Sequence, residues 1–147
     1  GTERGMIAGQ VMDLAAEGNR TDQAELETIH RHKTGALLEA SIGVGAYLGN
    51  AGETAMASIA DYGRKVGLAF QIVDDILDET AKSGTLGKTS GKDREQRKAT
   101  YPSVYGIKAS RWMVGSITAQ ARESARPLGD RAELLVEIAD YLENRSN

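Results

Sequence analysis

Three aspartates, Asp74, Asp75 and Asp78, close the apolar stretch "LAFQIVDDILDETA". On a helix, residues four apart (74 and 78) and three apart (75 and 78) share a face, so these carboxylates gather over one turn. Like charges at that spacing cost about 0.2–0.5 kcal/mol per pair even in water. Near a helix C-terminus they also oppose the macrodipole. Burial among Phe70, Ile72, Val73, Ile76 and Leu77 raises that cost unless a cation is held there. Oxygen donors with no cysteine or histidine beside them favour a hard ion, magnesium or manganese over zinc. The ligand alternation and central glycine of a calcium-binding EF-hand loop are missing. In a polar helix the same triplet would simply face water; the apolar neighbours favour the metal.

Two basic elements suit an anion beside that cation. Lys33 falls on an apolar stripe between Ile29 and Leu37. Either it snorkels to solvent or an anion pairs with it there. If the lysine is unpaired, Lys33→Met should raise thermal stability while weakening anion binding. Thr34 follows with a hydroxyl able to donate to the same anion. After the acidic turn comes "KSGTLGKTSGKDREQRKATYP", with six Lys or Arg against two acids between Lys82 and Lys98. A cationic loop after an acidic helix end suits a diphosphate bridged to it by magnesium. The "GKT" at 87–89 is no nucleotide P-loop, because Lys82 replaces the first glycine and a helix precedes it. His30 and His32, two apart, diverge on a helix and are expected at the surface. No Ser–His–Asp arrangement is evident.

Helices must position these residues. Apolar residues Leu26, Ile29, Ala36, Leu37, Ala40, Val44, Tyr47 and Leu48 recur at helical spacing and predict one core-facing stripe from Thr21 to Leu48. Thr21 or Asp22 can cap its start, and "GNAGE" stops it. A second long helix should run from Glu53 to Glu79, with Ile59, Tyr62 and Val66 inside and Asp61, Arg64 and Lys65 outside. Its second half, apolar all round except for Gln71 and the aspartates, needs neighbours on every side. A loop over 82–100 and helices over 102–125 and 130–144 follow, broken at Arg126–Pro127–Leu128–Gly129. An opening helix carries "GMIAGQVMDLA". No strand and no internal repeat is predicted: the class is all-α.

The 147 residues make about one domain. A net charge of −3 argues against a dedicated nucleic-acid binder. The absence of cysteine fits a reducing compartment, and the expected location is cytoplasmic. No apolar run approaches the roughly 18–20 residues of a membrane span.

Taken in order, "GMIAGQVMDL", "HRHKTGALLEASIGVGAYLG", "FQIVDDILDETAKSGTLGKTSGKD" and "KATYP" resemble the C-terminal half of the trans-isoprenyl diphosphate synthases. That family includes the farnesyl and geranylgeranyl diphosphate synthases. The resemblance extends to about Tyr105. It implies a helical bundle around a central cavity and transfer of an allylic diphosphate's prenyl group to isopentenyl diphosphate. It further implies that Asp74, Asp75 and Asp78 bind Mg2+ (or Mn2+) bridging to the allylic diphosphate. Lys33, Lys88 and Lys98 would hold its oxygens. Thr34 and Gln71 would face the developing carbocation, and Phe70 would pack on isopentenyl diphosphate. Gln10 and Asp13 would support the cavity wall, and Asp93 would anchor the loop lysines.

The sequence departs from the family pattern at Ala8 and Arg97, where glycine is common. It holds no first aspartate-rich motif and none of the basic residues that would hold isopentenyl diphosphate, so residues 1–147 are expected to form only the C-terminal part of the domain. That part alone is expected to be inactive, with segment 66–77 exposed on one side, whereas the complete protein is expected to be a homodimer. A non-catalytic helical subunit paired with a complete synthase is the alternative from another class. A terpene cyclase or head-to-head synthase is the enzymatic one. A short-chain product such as farnesyl or geranylgeranyl diphosphate is expected, with its exact length left open.

Overall fold

The computed structural model describes residues 5–16, 22–85 and 100–146, and among them every regular element is helical. Helix α1 spans Met6–Ala16 and α2 spans Gln23–His30. A π-helical turn, Arg31–Gly35, joins α2 to α3 (Ala36–Leu48). The long α4 covers Glu53–Thr85; α5 (Tyr101–Tyr105) and α6 (Ile107–Ala125) follow. A 3-10 turn, Arg126–Ala132, leads into α7, Glu133–Arg145.

Asp22 caps α2, its carboxylate accepting from the Glu25 backbone N–H at 2.9 Å. Leu26 and Ile29 are buried, as the stripe required, but the stripe fails beyond them. Leu37, Val44, Tyr47 and Leu48 are 58–78 % exposed. The physical reason is the π turn. One extra residue in a turn rotates all later side chains by about 100° relative to an unbroken helix. Two glycines hold this turn by close approach. A Cβ on Gly9 of α1 would lie 2.1 Å from the Lys33 nitrogen, and one on Gly67 of α4 would lie 2.9 Å from the Gly35 Cα.

Helix α4 is the spine and packs against both α3 and α6. Ile59, Tyr62, Val66, Ala69, Ile72, Val73 and Ile76 are buried along it. The expectation that segment 66–77 lies open on one side is therefore overturned. The matching face of α6 buries Ser110, Val114, Thr118, Ala121 and Ala125, at intervals of three or four. Its two hydroxyls donate to helix carbonyls, Ser110 to Gly106 at 2.9 Å and Thr118 to Val114 at 3.0 Å, so small polar residues can pack close. The Tyr62 hydroxyl donates to the Leu135 carbonyl at 2.7 Å and ties α4 to the last helical segment.

Two boundaries differ from expectation. Helix α4 continues to Thr85 instead of ending at Glu79. The single helix expected over 102–125 is two, because Gly106 takes φ 83°, which no right-handed helix accommodates. The break at "RPLG" is where expected, with Gly129 at φ 59° inside the 3-10 turn that leads into α7. Among the described residues no helix is long and apolar enough to cross a membrane.

Candidate active site

The second half of α4, the π turn and the start of α5 enclose a cleft of about 260 Å³. The π turn brings two consecutive residues, Lys33 and Thr34, to its wall. Phe70 and Gln71 come from α4, as do Asp74, Asp75 and Asp78 on the next two turns. Positions 88, 93 and 98, where Lys88, Asp93 and Lys98 were expected to act, lie outside the described residues. Gln10 is exposed on α1 and is not among the residues lining the cleft. Its neighbour Asp13 does line the cleft and is 6 % exposed.

Lys33 is neither unpaired nor free to snorkel. Its ammonium donates to Asp13 Oδ2 at 2.5 Å and stays about one-quarter exposed, facing the cleft. The premise behind a stabilising Lys33→Met is thus overturned. Thr34 donates its hydroxyl to Gln71 Oε1 at 2.8 Å, and Gln71 donates its amide N–H to Asp75 Oδ1 at 3.4 Å.

The acidic turn divides into two kinds of carboxylate. Asp74 and Asp78 are exposed, with no hydrogen-bond or ion-pair partner among the described residues. Asp75 is buried, and its Oδ2 accepts from the Tyr101 backbone N–H at 3.0 Å. Among the described residues no group of three histidine, cysteine or carboxylate side chains converges as a ready-made metal cage. Helical spacing placed the three aspartates together, and all three line the cleft, with Asp75 buried against the start of α5. Two open carboxylates with room between them and a lysine still suit magnesium. That ion keeps several waters and is held by one or two carboxylates plus substrate phosphates.

Tyr101 is locked in place by its surroundings. Thr100 caps α5 in a reciprocal pair with Ser103: the Ser103 N–H donates to Thr100 Oγ1 at 3.3 Å and the Thr100 N–H to Ser103 Oγ at 2.9 Å. Pro102 occupies the first turn, where its missing N–H costs nothing. This is the local reason for "TYPS" at the end of the loop. Burial, reinforced by the charge of Glu27, pushes the Tyr101 phenol well above its ordinary range. The Tyr101 ring stacks on His30 at 5.5 Å between centroids. His30, expected at the surface, is 4 % exposed, with Nε2 3.8 Å from Asp75 Oδ2. The overlooked signal was spacing: Leu26, Ile29 and His30 stand at i, i+3 and i+4, one buried face.

The sequence profile of the polyprenyl synthetase family matches residues 2–129, and the chain belongs to that family. It is 44 % identical over 144 residues to a dimethylallyltranstransferase of Fischerella ambigua, covering 97 % of this chain and 42 % of the relative. It is 40 % identical over 146 residues to the farnesyl diphosphate synthase of Escherichia coli, covering 97 % of this chain and 49 % of the relative. The chain thus spans less than half the length of these two curated relatives. Among solved structures, the decaprenyl diphosphate synthase of Rhodobacter capsulatus superposes with a TM-score of 0.80 at 29 % identity, over 97 % of this chain and 56 % of that one. A Helicobacter pylori geranyltransferase, complexed with magnesium and isoprenyl diphosphate, gives a TM-score of 0.72 at 28 % identity, over 95 % of this chain and 46 % of that one.

Proposed function

We propose that this chain supplies the diphosphate-gripping wall of a chain-elongating prenyltransferase that condenses an allylic diphosphate with isopentenyl diphosphate. The observation that carries the reading is the asymmetry of the cleft. Two open carboxylates, Asp74 and Asp78, face it together with the exposed part of Lys33. Below them lies the Thr34–Gln71 oxygen pair, with Phe70 as an apolar surface. Charge that separates along this axis meets complementary groups at both ends. The carbon–oxygen bond of the allylic diphosphate breaks, and diphosphate departs toward Lys33 and the acidic turn. The cation left behind faces the oxygens of Gln71 and Thr34 until the isopentenyl double bond attacks it, and the adduct then gives up a proton to the released diphosphate. Magnesium held by Asp74 and Asp78 would neutralise the leaving diphosphate. The family membership and the matched synthases support the same substrates.

The test is turnover of the full-length protein with dimethylallyl or geranyl diphosphate, isopentenyl diphosphate and magnesium, beside its Asp74→Ala variant. Loss of a ligand at a charged transition state is expected to cut kcat by about 10³-fold, roughly 4 kcal/mol, with the helix intact by circular dichroism. A variant within about tenfold of the parent would remove Asp74 from the site.

A further inference from the structure

Asp75 lines the same cleft as Asp74 and Asp78 but is buried where those two are exposed. A carboxylate only accepts hydrogen bonds, so the bonds it takes from Tyr101 and Gln71 have a fixed direction. The Tyr101 N–H donates to Oδ2 at 3.0 Å, and the Gln71 side-chain N–H donates to Oδ1 at 3.4 Å. The second bond decides which way the Gln71 amide points, for an amide is oriented by the network around it. With its NH2 toward Asp75, Gln71 turns Oε1 to Thr34, whose single hydroxyl proton is spent on that oxygen at 2.8 Å. Gln71 Oε1 and Thr34 Oγ1 therefore offer the cleft lone pairs and no proton.

We propose that Asp75 is a positioning residue: it sets the polarity of the chain Asp75–Gln71–Thr34 and so makes this wall an acceptor surface for developing positive charge. The inference rests on the prenyl-transfer reading of the same cleft. It assigns Asp75 no metal, and it gives burial of one acid within the acidic turn a purpose.

An exchange of the two side chains tests this in the full-length protein. In Asp75→Asn the introduced amide has one accepting oxygen for two donors. The buried Tyr101 N–H claims it, and the introduced NH2 faces Gln71. The Gln71 amide must then reverse and donate to Thr34, freeing the hydroxyl proton toward the cleft. We expect kcat to fall about 100-fold, as for loss of one preorganised dipole, while the magnesium concentration for half-maximal rate stays as in the parent. Asp74→Asn, by contrast, should raise that concentration. Gln71→Glu alone places two carboxylates together and should also fail.

Combining D75N with Q71E restores the polarity, because the introduced glutamate accepts from both the introduced amide and the Thr34 hydroxyl. The pair should recover to within about tenfold of the parent, the non-additivity expected of two directly bonded residues, while the unchanged magnesium requirement separates this from a merely structural role. Native rate in D75N, a magnesium requirement raised as in D74N, or no recovery in the pair would overturn the proposal.

A readout independent of turnover separates this from failure of the prenyl-transfer reading. Nuclear Overhauser contacts of the Gln71 amide protons should reach the Asp75 β-protons in the parent and the Thr34 methyl in D75N. Amide contacts to Thr34 in the parent would refute the inference by themselves. Absence of turnover with every allylic diphosphate, with the expected contacts in place, would instead refute the prenyl-transfer reading.

Discussion

Lys33 and Asp13 form a pair in which one member is buried and the other half-open to the cleft. Lys33→Met therefore removes the cation opposite a buried carboxylate. Breaking a fully buried pair costs about 3–5 kcal/mol, and partial exposure of the lysine lowers the expected loss to about 1–3 kcal/mol. Denaturant unfolding of the variant should show that loss; a gain would mean the pair contributes nothing. A second single-residue prediction concerns acid. Asp61 is held at about 2, below its ordinary 3.8, first by its hydrogen bond from Lys65, then by that from Ser124 at 2.6 Å, against the opposing effect of burial. A lowered carboxyl stabilises the fold above its unfolded value, and that contribution disappears as pH falls through the folded one. Between pH 4 and 2 the parent should lose stability more steeply than Asp61→Asn, measured by thermal melts across that range. Much of the site was legible at this scale. The acidic triplet, the lysine in need of an anion and the Thr34–Gln71 pair all line one cleft. The direction in which Asp75 points was not legible, because spacing fixes a helix face and not the donor waiting 26 positions away at Tyr101. Asp13 as the partner of Lys33 was hidden for the same reason.

The element that matters most for the cleft is the π turn Arg31–Gly35, and it rests on backbone contact. Gly9 leaves no room for a methyl group against the Lys33 nitrogen, and Gly67 almost none against Gly35. Gly9→Ala must push α1 away from the turn or displace the turn itself. Overpacking of this kind costs about 1–3 kcal/mol or more, and the displaced turn carries Lys33 and Thr34 with it. Denaturant unfolding together with kcat should show both losses in Gly9→Ala; unchanged values would show that the close approach positions nothing. Sequence periodicity could not disclose this turn, since "RHKTG" has no residue that marks an extra i→i+5 bond. Beyond the turn, unbroken spacing misplaces the large apolar residues: Leu37, Val44, Tyr47 and Leu48 are exposed. Breaks written in residue chemistry fared better. "RPLG" announced its own end through Pro127 and Gly129, whereas the lone Gly106 between two helical runs gave too little warning.

Across the whole molecule, the two clusters of buried side chains both lie along α4, so the helix that bears the acidic turn is also the one most thoroughly packed. A rigid spine suits a site whose task is to hold charges at fixed separation. Open apolar side chains lie on other helices: Ile7, Val11 and Leu14 on α1, Tyr47 and Leu48 on α3, Trp112 on α6, and Leu134 and Tyr141 on α7. The helical class and the order of the helices were plain from apolar spacing and from the scarcity of proline. Which faces meet was not, because that depends on backbone approaches at Gly9 and Gly67. The central claim is that the open carboxylates of α4 hold a divalent ion against a diphosphate while Asp75 does not. Crystals of the full-length protein grown with manganese and an allylic thiodiphosphate, recorded at the manganese absorption edge, test it directly. The expected result is an anomalous peak at ordinary metal–oxygen distance, about 2.0–2.2 Å, from Asp74 or Asp78, with Asp75 still bonded to Tyr101. A peak ligated by Asp75, or none on this turn while diphosphate occupies the cleft, would contradict it.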